Sequence, residues 1–137
     1  MREPSEELRA WLRAVADELI PAGDGMPAAG EIADRQLESV LTARPDLLRH
    51  LTRAHLRTAG LDGAAAFAAL RELDPEAEAA IAQIVAGGYY ADPKVRELLG
   101  YTGQRPIPVR PADFPEYVAE GLLDRVLARG PIYRPAD

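Results

Sequence analysis

The residues that could do chemistry are few, and their spacing speaks against most reactions. His50 and His55 are the two histidines. Five positions apart on a helix, they point about 140° away from each other. Neither spacing builds a metal site or delivers a base to a nearby serine, so both read as partly exposed helix residues. Carboxylates cluster as Glu6 and Glu7, as Asp74 with Glu76 and Glu78, and as Asp113 with Glu116. All lie at or near expected helix starts, where capping and the helix dipole account for them without a general acid–base pair. The serines are Ser5, an N-cap candidate, and Ser39, on a helix surface. Gly23-Asp24-Gly25 follows no strand, and its aspartate would repel a phosphate. No catalytic, cofactor-binding or metal-ligating residue is assigned.

One segment departs from ordinary packing. Gly87-Gly88-Tyr89-Tyr90-Ala91-Asp92-Pro93 through Leu99-Gly100-Tyr101 places three of the five tyrosines in a glycine-bounded turn–helix–turn. A tyrosine has an apolar ring and a hydrogen-bonding tip, which suits helix junctions and recognition surfaces alike. Tyr89, Tyr90 and Tyr101 either lock the junction against the core or serve a partner. The prolines that follow, Pro106, Pro108, Pro111 and Pro115, forbid regular helix or central strand. Such an extended stretch wraps its own domain or docks onto another protein. The candidate partner-binding set is therefore Tyr89, Tyr90, Asp92, Pro93, Tyr101, Pro106, Pro108 and, in the tail 131–137, Tyr133.

The elements that must position these residues are helices. Leu8, Trp11, Leu12, Val15 and Leu19 form one stripe of a 3.6-residue period over 5–19, capped by Ser5. Pro21, Gly23, Gly25 and Pro27 interrupt it with an irregular loop. A second helix is expected over 31–43, with Ile32, Gln36, Leu37, Val40 and Leu41 inward. A third follows Asp46 through Leu47, Leu48, Leu51, Ala54 and Leu56 to Thr58, stopping at Gly60. Asp62 caps a short helix through Phe67, Leu70 and Leu73. Asp74-Pro75 and Asp92-Pro93 each set a capping carboxylate before a proline at the first helical position. The first of these opens a helix running to Gly87-Gly88, and the second a short one closing at Gly100. After the proline-rich segment 101–115, a last helix is expected over 115–128, with Tyr117, Val118, Leu122, Leu123 and Val126 inward. The reading is all-α: one compact domain over 1–137, six to seven helices, with a proline-rich extended segment before the last.

Composition narrows the function further. A chain of 137 residues, 47% hydrophobic and 28% charged, can bury a sizeable core. Twenty-two acids against 16 bases give a net charge of −6, which disfavours a nucleic-acid partner. No stretch approaches the ~18 apolar residues of a membrane span. With no cysteine, disulfide scaffolds, thiol catalysis and iron–sulfur clusters are excluded. The acidic start Met1-Arg2-Glu3-Pro4-Ser5-Glu6-Glu7 is unlike a secretory leader, and the expected location is cytoplasmic.

Two blocks resemble the small-subunit family of gluconate 2-dehydrogenase, often called subunit 3. The first is Leu12-Arg13-Ala14-Val15-Ala16-Asp17-Glu18-Leu19-Ile20-Pro21-Ala22-Gly23-Asp24-Gly25-Met26-Pro27-Ala28-Ala29-Gly30, similar to an opening helix that breaks at an Ile-Pro-Ala turn. The second is Gly88-Tyr89-Tyr90-Ala91-Asp92-Pro93, closing with Leu99-Gly100-Tyr101-Thr102-Gly103. The resemblance implies a small helical subunit paired with a large FAD-dependent oxidoreductase of the glucose–methanol–choline class. In that arrangement the partner holds the FAD and does the chemistry, and the small subunit assists its folding, stability or export. Two features depart from the family pattern. Arg2 stands alone where members commonly carry a twin-arginine leader, and the stretch from Asp92 to Gly100 is shorter than the usual insert. These point to a divergent member with a cytoplasmic stabilising role. Two other readings stand beside it: a self-associating helical adaptor, and a helical domain binding a small molecule through Tyr89, Tyr90, Asp92 and an Arg96 paired back to Asp92.

Overall fold

A computed structural model describes residues 4–106, 116 and 119–131. Its elements are α1 (Glu6–Leu19), α2 (Gly30–Ala43), α3 (Leu47–Arg57), α4 (Gly63–Leu73), α5 (Pro75–Ala91), α6 (Pro93–Leu98) and α7 (Asp124–Arg129). No strand occurs among the described residues, so the all-α reading holds. The chain divides into two compact units, Met1–Thr102 and Gly103–Asp137. The division falls where the sequence turns proline-rich.

Within the first unit, α5 is the axis. Helices α1, α2, α3, α4 and α6 all pack against it. Its buried face, Ala77, Ala80, Ile81, Ile84, Val85 and Tyr89, meets Leu12 and Val15 of α1, Leu37 and Leu41 of α2, and Leu51 of α3 in one core. Each fully buried leucine or isoleucine contributes about 1.5–3 kcal/mol over an exposed one. The inward stripes are close to expectation, with two exceptions. Leu56 is exposed because it lies five positions from Leu51, about 140° round the helix. Leu73, at the last position of α4, is also exposed.

Helix starts follow the capping logic. Ser5 Oγ accepts from Leu8 N at 3.3 Å and Asp62 Oδ1 from Ala65 N at 2.8 Å. Asp74 Oδ1 accepts from Ala77 N at 3.1 Å and Asp92 Oδ1 from Lys94 N at 3.0 Å. Asp46 does not cap α3. Its backbone is already helical, and its carboxylate instead takes two bonds from Arg44, at 2.9 and 2.7 Å. Helix α2 has Ala29 at its N-cap position and so lacks a side-chain cap of its own. Asp17 of α1 supplies one, accepting from Gly30 N at 2.6 Å. A side chain at Gly30 would collide with that carboxylate and with the Arg13 carbonyl.

Two expectations about glycines are corrected. The Gly23–Met26 loop is a tight two-residue turn, with paired backbone bonds of 3.1 and 2.8 Å and positive φ at Asp24 and Gly25, as an Asp-Gly type I′ turn requires. The pair Gly87-Gly88 lies inside α5 and does not end it. A Cβ at Gly88 would sit 3.2 Å from the Gln36 Cβ, so this glycine permits the close crossing of α5 over α2.

In the second unit Glu116 and Ala119 are helical, Gly121 takes φ +66°, and α7 runs over Asp124–Arg129, so the helix expected over 115–128 is interrupted around Gly121. Leu122, Leu123 and Val126, expected inward, are exposed. Tyr117 and Val118 lie outside the described residues.

Candidate functional site

The tyrosine segment separates into an interior half and a surface half. Tyr89 is 2% exposed, on the inner face of α5, and its hydroxyl donates to the Pro27 carbonyl at 2.7 Å. Burial, with the neighbouring Tyr90, pushes its phenol above the usual tyrosine range. Its ring meets Tyr90 edge to face at 5.4 Å. Asp92 is equally buried and occupies both carboxylate oxygens. Oδ1 caps α6 through Lys94 N and Val95 N. Oδ2 accepts from Arg35 Nη2 at 2.7 Å and from Gln36 Nε2 at 3.2 Å. Burial alone would raise this carboxyl. The bonds from Arg35, Gln36 and the two backbone N–H groups outweigh it and hold the group below the usual carboxylate range. Gln36, polar on the inward side of α2, is thereby explained.

Tyr90, Pro93 and Tyr101 lie on the surface. Helix α6 closes with Gly100 at φ +67°, Gly100 N bonded to the Glu97 carbonyl and Tyr101 N to the Arg96 carbonyl. This double bond is a Schellman motif, which brings the residue after the glycine back over the last turn. Tyr101 is thus fixed against Arg96, whose guanidinium lies 4.9 Å from the ring centroid. The stacked pair separates two grooves. One, of about 480 Å³, is lined by Tyr90, Arg96, Leu99 and Tyr101. The other, of about 390 Å³, is lined by Pro93, Glu97, Gly100 and Thr102 with the same pair. Tyr90 and Tyr101 are 58% and 51% exposed, with Leu98 and Leu99 beside them equally open. Tyr90, Leu99 and Tyr101 share one groove, an exposed apolar surface of the kind that marks an interaction site.

The expected contact set therefore splits. Tyr90, Pro93, Tyr101 and Pro106 are exposed, while Tyr89 and Asp92 are placed inside the fold. The expected Arg96–Asp92 pair is not formed, because Asp92 faces α2 and takes Arg35. A ligand pocket built on Tyr89 and Asp92 is corrected accordingly: both side chains are already satisfied within the fold. Pro108 and Tyr133 lie outside the described residues.

Other polar clusters tie helices together. Arg13 and Arg9 of α1 reach Asp34 of α2 at 2.6 and 2.8 Å, and Arg9 also reaches Glu38 at 2.8 Å. Burial would raise the Asp34 carboxyl, but the two arginines hold it below its ordinary range. Arg53 of α3 bridges Asp74 and Glu76 at the start of α5, each at 2.8 Å. His50, expected to be partly exposed, is buried in that joint, its ring nitrogens 3.0 Å from Arg49 Nε and 3.1 Å from Arg53 Nη2. His55 meets the Trp11 ring edge to face at 5.6 Å, and Trp11 Nε1 donates to the buried Thr58 hydroxyl at 3.0 Å. Among the described residues no group of three His, Asp or Glu side chains is arranged to hold a metal ion. None of their helices is long and apolar enough to cross a membrane.

No family model, curated protein or solved structure matches the chain.

Proposed function

We propose that this chain is a non-catalytic accessory subunit that binds a large FAD-dependent oxidoreductase of the glucose–methanol–choline class and stabilises it or assists its folding in the cytoplasm. The FAD and the redox chemistry belong to the partner. The observation that carries the reading is the joint between the two blocks that resemble the subunit 3 family. Pro27 of the first block and Tyr89 of the second, 62 residues apart in the sequence, meet where the Tyr89 hydroxyl bonds the Pro27 carbonyl. The patch of Tyr90, Leu99 and Tyr101 opens beside that joint. The buried members of the blocks hold a rigid platform, and the exposed members present a surface for another protein. Preorganisation of this kind lowers the ordering cost of association.

The test is co-expression with a FAD-dependent oxidoreductase of that class from the same genome, followed by gel filtration read for protein and for yellow flavin absorbance. A single peak with both chains and the flavin is expected. Tyr90→Ser combined with Leu99→Ser should release the small chain while leaving it folded, since both side chains are exposed. A colourless small peak beside an independently soluble, flavin-loaded large one overturns the proposal. If that small peak elutes as a homo-oligomer, the self-associating adaptor takes its place.

A further inference from the structure

The Arg96–Tyr101 pair says more about the partner than that it is apolar. In the helical unit, Arg9, Arg13, Arg35, Arg44, Arg53 and Arg57 each lie within 4.0 Å of a carboxylate. Arg96 forms no such pair among the described residues and lies over an aromatic ring. Arg71 lies likewise over Phe67, but that ring is packed against the core and lines neither groove. Stacking on Tyr101 covers one face of the Arg96 guanidinium and leaves its N–H edge, the part that recognises carboxylates in a fork, for an outside acceptor. The Schellman turn fixes the ring beneath it, so little side-chain freedom remains to be lost on binding.

Charge is distributed to match. The chain as a whole is acidic, yet from Pro93 to Thr102 it carries Lys94 and Arg96 against Glu97 alone. Asp34 and Glu38 of α2 and Asp74 and Glu76 at the α5 start are taken up by the arginines facing them. Beside Arg96 the groove offers Tyr90, Leu99 and Tyr101 as an apolar seat.

We infer that this groove binds a peptide segment of the partner in which a glutamate or aspartate alternates with a large apolar side chain, the carboxylate meeting Arg96 and the apolar group seated between Tyr90, Leu99 and Tyr101. The inference rests on the accessory-subunit reading for its biological setting but not for its test. The probe is a fluorescein-labelled peptide of alternating glutamate and phenylalanine, with lysine replacing glutamate in a control. Fluorescence anisotropy is measured against the full chain and against Arg96→Glu and Arg96→Lys.

The glutamate peptide should bind and weaken as salt is raised, while the lysine peptide should not bind. Arg96→Glu should weaken binding about tenfold or more, and Arg96→Lys by less, because it keeps the charge and loses the fork. Circular dichroism should show unchanged melting for both variants. Equal binding of the two peptides, binding of neither, or indifference to Arg96→Glu overturns the inference. In the co-expression experiment, a flavoprotein that co-purifies equally with Arg96→Glu overturns this inference alone. A flavoprotein that ignores the wild-type chain overturns the accessory role, and the peptide measurement still decides the groove.

Discussion

Replacing Asp92 isolates the junction on which the candidate surface stands. Its Oδ1 caps α6, and its Oδ2 takes bonds from Arg35 and Gln36, tying α2 to the α5–α6 corner. Loss of an N-cap acceptor costs about 1 kcal/mol. Leaving the half-buried Gln36 amide without its acceptor adds about 1 kcal/mol. The Arg35 side chain is 55% exposed and rehydrates, so its half of the pair adds at most about 1 kcal/mol. Asp92→Ala should therefore lose roughly 2–3 kcal/mol, which for a chain of this length lowers Tm by roughly 10 °C. Asp92→Asn keeps a cap acceptor and an oxygen for Gln36, so it should lose about 1 kcal/mol.

The pH dependence supplies an independent check. The folded-state pKa of Asp92 lies below its unfolded value, so its stabilisation is present above the unfolded pKa and is lost as pH falls through the folded one. The gap between wild type and Asp92→Asn should be full near neutral pH and close progressively below about pH 4. Urea titrations followed by circular dichroism measure both effects. If Asp92→Ala costs no more than Arg35→Ala, or the gap persists unchanged in acid, the reasoning about this carboxylate is wrong.

The other expectations concern single contacts. Gly87→Ala should stabilise the chain by about 1 kcal/mol, since Gly87 lies inside α5 with open space where a Cβ would go. Gly63→Ala should instead destabilise by about 1–3 kcal/mol, because the new Cβ would press into the Ala14 carbonyl; thermal melts that rank the two variants in the opposite order would refute the packing described. Tyr89→Phe should cost about 1 kcal/mol near neutral pH through the lost bond to Pro27. The Tyr89 phenol has a raised folded-state pKa, so its contribution holds below the unfolded value of about 10 and is lost as pH rises through the folded one. Alkaline melts should therefore show the wild type losing its advantage over Tyr89→Phe.

What was legible in the sequence was local. The 3.6-residue stripe of Leu8, Trp11, Leu12 and Val15, the caps at Ser5, Asp62, Asp74 and Asp92, and the left-handed Gly100 all depend on neighbours within one or two turns. For such features residue type and spacing carry the physics. The tertiary structure decided what lay across the chain. Gly87-Gly88 has the same letters whether it ends a helix or admits a neighbour, and only the approach of Gln36 on α2 made Gly88 the latter. Tyr89 and Tyr90 are adjacent and chemically identical, yet about 100° of helix rotation put one in the core and left the other in water. Asp92 could have paired with Arg96 one turn on, and it pairs with Arg35, 57 residues earlier, because α2 packs beside α5. That choice keeps Arg96 off the carboxylate and against Tyr101, a consequence of packing that no window of sequence contains.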